Sequence, residues 1–279
     1  MGADLIVHLD CDAKRAFGDG DPTEGTEAMI RMRKSRSQAM AVAGQLQGAG
    51  VPLDRPVITV VVETAEGRQE RKVSVVDLLA ESAPLQEHDG DCPDCPANLG
   101  NQPYGCLGFV PYPIGPDAEL WLAGRIQPSG TLGHKLLCDA LRDFGYTGEL
   151  IAQWRERGLL TAPEPQTVVL RKAWFAKTTV DTNQLFQALF GVGSHLEPTH
   201  CALVLMWLGA LAFDGEVPTT LDPAPLQTLL SLTDMEQRRA RTDLVLGEPT
   251  DNPDIKAMQL LLGYLYGAWI CGVGLLVDA

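Results

Sequence analysis

Positive charge is what this sequence lacks most. Lys and Arg total 22 against 36 Asp and Glu, leaving a net charge of −14. A nucleic-acid-binding surface works by replacing counterions with basic side chains, so the deficit argues against that class. It also argues against broad adhesion to anionic lipid. Several signatures are missing too. There is no Gly-x-x-x-x-Gly-Lys, no Gly-x-Ser-x-Gly and no His-Glu-x-x-His, and their absence lowers the expectation of an enzyme. No repeat of fixed period and no low-complexity tract occurs. Met1-Gly2-Ala3-Asp4 has no basic region ahead of an apolar one, so no secretory signal is expected. Ile6 stands where myristoylation after Gly2 would want Ser or Thr.

What is present is enough for a folded protein. Of the 279 residues 45% are hydrophobic, which suffices for one large core or two smaller ones. The seven cysteines are odd in number and scattered, with Cys201 and Cys271 set in apolar runs. That pattern suits a reducing compartment, and a cytoplasmic location is the expectation. The acidic balance favours solubility and a basic protein partner.

The clearest chemical signal is His88-Asp89-Gly90-Asp91-Cys92-Pro93-Asp94-Cys95-Pro96-Ala97-Asn98, closed by Cys106. The stretch has too few apolar residues to fold by burying itself, so a divalent metal would give it a reason to hold a shape. Zinc takes four N or S ligands in a tetrahedron, and two cysteines separated by two residues can chelate one ion across a tight turn. Pro93 stiffens that turn and Pro96 bars regular hydrogen bonding beyond it. Gly105 is expected to turn the backbone so that Cys106 brings a third sulfur back. The fourth ligand is expected to be His88, with His134, Cys138 and Cys11 as alternatives. A redox pair is disfavoured, because redox Cys-x-x-Cys normally opens a helix directly after a strand. Asp89, Asp91 and Asp94 would balance charge or solvate the loop.

Two partial likenesses stand beside this signal. Leu5-Ile6-Val7-His8-Leu9 followed by Asp10-Cys11-Asp12 resembles the opening of the haloacid-dehalogenase-like phosphatases, where the first Asp would be nucleophile and the second the acid. The likeness stops at Ala13-Lys14, where those enzymes carry Gly-Thr or similar. His195-Leu196-Glu197 together with Cys92-x-x-Cys95 echoes the zinc nucleobase deaminases, but here the order is reversed and Asp91 replaces the expected proline.

Read in order, residues 5–9 are expected as a buried strand and residues 26–46 as a helix. The helix carries Arg31, Arg33, Lys34 and Arg36, a solvated face or an anion site. Residues 57–62 and 72–76 read as a β-hairpin, and 77–80 as the start of a short helix. Residues 133–144 and 149–160 read as helices, and Pro163-Glu164-Pro165 as a connector. Residues 201–213 read as a buried helix with His195 and His200 near its start. Residues 226–246 are an amphipathic region with a second basic patch at Arg238, Arg239 and Arg241. Residues 257–277 are apolar, with Gly263 and Gly267 at Gly-x-x-x-Gly spacing. They read as a helix to about Cys271 followed by a strand, or else as a membrane span with a packing seam.

The expectation is therefore an α+β protein. Residues 1–162 form a mixed strand and helix region with the metal loop, and residues 166–279 a mainly helical one. Structural zinc on His88, Cys92, Cys95 and Cys106 would make it a soluble interaction or regulatory protein, without its own catalytic site and with a protein partner. The alternatives are a metal-assisted or aspartate-based hydrolase using Asp10 and Asp12, and a membrane-associated effector using the C-terminal apolar segment.

Overall fold

The first and last strands of the chain are hydrogen-bonded neighbours. Strand β1 (Gly2–Val7) runs antiparallel to the C-terminal strand Leu275–Asp278, with Asp4 opposite Asp278 and Val7 opposite Leu275. The structure is a computed structural model, and it describes residues 2–55, 57–64, 67–99, 102–111, 114–115, 117–118, 121–122, 167–173, 176–181, 194–217, 228–229 and 231–278. The expected helices over 133–144 and 149–160 and the connector at 163–165 lie outside the described residues. In chain order the further strands are β2 (Ile58–Thr64), β3 (Gly67–Val73), β4 (Leu107–Pro111), β5 (Thr167–Ala173), β6 (Ala176–Asp181), β7 (Ser194–Leu196), β8 (Leu211–Phe213) and β9 (Thr242–Leu244), with Leu275–Asp278 as β10. The helices are α1 (Asp12–Phe17), α2 (Pro22–Gly48), α3 (Val75–Ser82), α4 (Pro198–Trp207), α5 (Met235–Arg241) and α6 (Pro253–Cys271). Helices and strands alternate irregularly and the strand pairs are antiparallel, which makes the fold α+β.

The chain forms two units. One comprises Met1–Leu9, Pro96–Gly100 and Gly105–Ala279, and the other Asp10–Cys95 with Asn101–Tyr104. The first is built on a sheet of order β4-β1-β10-β7, antiparallel throughout. Leu5, Ile6 and Val7 are all buried, which is why β1 reads as a continuous apolar run rather than an alternating one. Helix α6 packs on β1 and β4, and α4 lies along α6. Asn252 caps α6, its side-chain oxygen accepting from the N–H of Asp254 at 2.9 Å and Ile255 at 3.2 Å, with Pro253 pre-set for the first turn. Gly272, at φ 67°, ends the helix in the left-handed conformation. Ala257, Met258, Leu261, Leu262, Leu265, Ala268 and Trp269 recur at helical spacing on its buried side. Burying each of the larger ones stabilises the fold by about 2 kcal/mol.

That burial accounts for the apolar C-terminal segment. Among the described residues no helix is long and apolar enough to cross a membrane. The two glycines do not form a shared seam: a Cβ on Gly263 would meet open space, while one on Gly267 would touch the Leu99 side chain at 3.6 Å.

Two expected helices are shorter than the sequence suggests. Residues 201–213 are not one helix, because Gly209 adopts φ 64° and Ala210 N–H returns to the Leu205 carbonyl at 2.8 Å, so the chain leaves as β8. In the 226–246 region residues 228–229 and 231 are helical, but α5 starts afresh where Asp234 caps it and gives way to β9 at Thr242.

In the second unit, α2 begins at Pro22 rather than Thr26. Asp21 caps it by accepting from Thr23 N–H at 2.7 Å, and Pro22 occupies the first turn. The hairpin β2–β3 aligns Ile58 with Val73 and Thr64 with Gly67. Ile58, Val73, Val75 and Leu78 pack with Ala39, Val42, Ala43 and Leu46 of α2. The second strand ends at Val73 because Ser74 and Asp77 form a reciprocal capping box that starts α3, overriding the β propensity of Val75 and Val76. Helix α1 lies so close to α2 that a Cβ on Gly25 would overlap the Lys14 carbonyl.

Two glycines of α2 should respond oppositely. Gly44 faces open space, so Gly44→Ala stabilises by about 0.5–1 kcal/mol through helix propensity. Gly25→Ala makes the same propensity gain but collides with backbone that no rotamer change can move, and should destabilise by about 1–3 kcal/mol. Urea unfolding of both variants measures the difference in sign.

Candidate metal centre

The chain leaves α3 through a run of 3-10 turns, Ala83–Asp91, with Pro84 in its first turn. His88 sits on that run. Its Nδ1 lies 2.7 Å from Asp91 Oδ2, and its ring meets Phe17 of α1 edge-on at 5.0 Å between centroids. With Nδ1 turned to that carboxylate, Nε2 is the ring nitrogen left for another partner. Metal-binding histidines are commonly oriented this way by a carboxylate behind them.

Cys92 ends the 3-10 run, and Cys95 N–H donates to the Cys92 carbonyl at 3.1 Å, so the two cysteines flank a single turn. Cys92 is buried and Cys95 half-buried. Burial pushes the Cys92 thiol up, and the charges of Cys95, Cys11 and Asp91 push the same way. The backbone N–H of Tyr104, directed at the sulfur, opposes them. A bound cation would reverse this balance by favouring the thiolate.

Tyr104 ties the segment that carries it to the 3-10 run. Its buried hydroxyl donates to the Leu85 carbonyl, and burial together with the nearby Asp89 charge raises its pKa. Its φ of 57° is a left-handed conformation unusual for a residue with a side chain. The residue that takes the left-handed turn is therefore Tyr104, not the expected Gly105. Gly105 matters for closeness instead, since a Cβ there would overlap the Asn98 side chain. In the 3-10 run, Asp89 Oδ1 is buried and has no hydrogen-bond partner. An orphaned carboxylate oxygen is costly, and a cation is one way to satisfy it.

His88, Cys92 and Cys95 thus share one short segment of the second unit. Cys106 belongs to the other unit, where its carbonyl accepts the Val7 N–H at 2.9 Å just ahead of β4. Cys11 is in the second unit, at the N-cap of α1, and its thiol makes no capping bond. His134 and Cys138 lie outside the described residues. Among the described residues no three His, Cys, Asp or Glu side chains are already gathered around a point that could hold a metal ion.

The other singled-out residues are engaged elsewhere. Arg15 Nε donates to Asp10 at 2.9 and 3.1 Å, and the guanidinium holds that carboxyl below its usual range. Strand β1, which leads to Asp10, has antiparallel neighbours on both sides, whereas a doubly wound site needs the crevice at the ends of parallel strands. The basic patch of α5 is dispersed into structural roles. Arg238 donates to the carbonyls of Leu232 and Trp269 and lies 4.5 Å over the Trp269 ring. Arg239 reaches the Pro96 carbonyl at 3.0 Å, and Arg241 grips Asp214 at 2.6 Å. His195 leans on His8, with ring centroids 5.4 Å apart, and its Nε2 is 3.6 Å from Glu197.

Comparison with protein-family models, with curated proteins and with solved structures returned no match.

In reduced, metal-free protein near neutral pH, iodoacetamide should label Cys95 well before Cys92, whose raised pKa keeps it protonated until the solution is more alkaline. Peptide mass spectrometry over a pH series reads the order. Tyr104→Phe strands the Leu85 carbonyl and should cost about 1 kcal/mol in urea unfolding.

Proposed function

We propose that the chain is a metal-stabilised interaction or regulatory protein with no catalytic site of its own. A zinc ion held by His88, Cys92 and Cys95, with a further sulfur in the fourth position, fixes the polar segment after α3. Cys106 is the nearest such sulfur downstream in the sequence. The observation that carries the reading is the Asp91-backed imidazole of His88 placed just ahead of the Cys92–Cys95 turn. The Asp89 Oδ1 atom adds to it, because it is a buried acceptor without a hydrogen-bond donor. The ion would be structural: four protein ligands close a tetrahedron and leave no position for substrate.

The partner is a protein with a basic surface, matching the net charge of −14. Phe109, 55% exposed on the edge strand β4, and Leu99, 46% exposed, offer apolar anchors for it. The six described cysteines are thiols rather than disulfides, which supports a cytoplasmic setting.

Elemental analysis of natively prepared protein should find about one zinc per chain. The apparent binding energy of structural zinc is on the order of 10 kcal/mol, comparable with the whole stability of a domain, so chelation should lower Tm by more than about 10 °C. Cys95→Ser should lose both the metal and the interactors recovered by the zinc-loaded wild type. A metal-free native protein, or interactors indifferent to chelation, would overturn the proposal.

A further inference from the structure

We propose that β2 is a docking edge for a second copy of this chain, pairing antiparallel with its own counterpart to give a four-stranded sheet of order β3-β2-β2-β3. The proposal stands apart from the zinc reading and uses none of its ligands. The hairpin β2–β3 is a two-stranded sheet, and among the described residues no third strand joins it. In an antiparallel ladder alternate residues turn N–H and C=O toward one neighbour, and the residues between them turn theirs away. The outward groups of β2 therefore have no strand to meet among the described residues. Beside them lies apolar surface: Val61 is 44% exposed, and Val57, just ahead of the strand, 41%. Residues 57–62 are Val-Ile-Thr-Val-Val-Val, β-branched throughout and without charge. An uncharged edge of this kind is one that folded proteins cover or blunt.

Charge chooses the occupant. A second copy brings the same −14, so it can come close only where the local charge is balanced. Over residues 57–73 it is balanced, since Arg68, Arg71 and Lys72 match Glu63, Glu66 and Glu70. A basic protein partner is drawn instead to acidic surface and gains nothing from a neutral strand. The two edges of the hairpin also differ. Four of the seven residues of β3 are charged (Arg68, Glu70, Arg71 and Lys72), a common defence of an edge against pairing, whereas β2 has only Glu63. Self-pairing of β2 brings no conflict. A two-fold axis at Val61 sets Val60 opposite Val62, and Thr59 opposite Glu63, of the second copy, so no like charges face each other. Such an interface is isologous and closes at two chains, leaving the charged β3 strands outermost. A single strand pair is a small interface, so the dimer is a weak one that forms as concentration rises.

The test uses the full-length chain under reducing conditions, so that intermolecular disulfides do not contribute. Sedimentation equilibrium over a concentration series should show a reversible monomer–dimer equilibrium. Val61→Lys sets two ammonium groups across the two-fold axis and should raise the dimer Kd by about tenfold or more. Gln69→Lys, at an exposed position of β3, should leave Kd as in wild type. Far-UV circular dichroism of each variant at high dilution checks that the fold is kept. Hydrogen exchange on wild type needs no substitution: amides of residues 58–64 should slow most as concentration rises. A chain monomeric throughout the series overturns the proposal and leaves the edge to a foreign strand. A dimer whose Kd Val61→Lys leaves unchanged, or whose slowed amides lie outside β2, overturns it as well. Growth into open-ended assemblies overturns the two-fold arrangement.

Discussion

The pairing of β1 with β10 is the constraint on which the sheet-based unit depends. It places Leu5 opposite Val277, near the other end of the chain, and β4 and β7 add themselves to its two open edges. Closing so long a loop costs entropy, but that cost grows only with the logarithm of length. What offsets it is local to the C-terminal end. Helix α6 delivers β10 through the left-handed turn at Gly272, and the same helix covers β1 and β4. One contiguous stretch, residues 253–278, therefore supplies both a central strand and its apolar cover.

Along the chain, the second unit falls almost wholly between β1 and β4. Its own core lies where the β2–β3 hairpin, α2 and α3 meet. The polar segment from His88 to Cys95 comes after that core is complete, and the Tyr104 hydroxyl beyond it donates to the backbone carbonyl of Leu85 ahead of it. A segment with so little apolar area has few means of becoming rigid, and coordination chemistry is the strongest of them. The buried, unsatisfied oxygen of Asp89 and the raised Cys92 thiol are both conditions that a divalent ion relieves.

The start signals of the helices explain where reading the sequence succeeds and where it slips. Asn252-Pro253 announces α6 and Gly272 ends it, since capping side chains and left-handed glycines act locally. Asp21-Pro22 carries the same signal for α2, yet the apolar periodicity starting at Thr26 draws the boundary too late. Val75-Val76 looks like strand because β-branched residues favour sheets, but Ser74 and Asp77 cap α3 there instead. Arg238, Arg239 and Arg241 look like a patch because charge is visible in one dimension. The carbonyls and the Asp214 carboxylate that absorb them come from distant parts of the chain.

The same division holds for the candidate centre. The Cys-x-x-Cys turn is legible because its two ends lie within a few residues, whereas the pairing of His88 with Asp91, expected only to balance charge or solvate the loop, appears in the structure. The sequence by itself determined the α+β class, the capped helix α6 and the identity of the polar segment, each a matter of short-range pattern and turn chemistry. Tertiary structure alone decided that β1 and β10 pair side by side. It also decided that Tyr104 rather than Gly105 takes the left-handed conformation, and that Cys11 shares a unit with Cys92 while Cys106 does not. Those outcomes depend on contacts between residues far apart in sequence, where packing and not local preference selects among conformations of similar intrinsic energy.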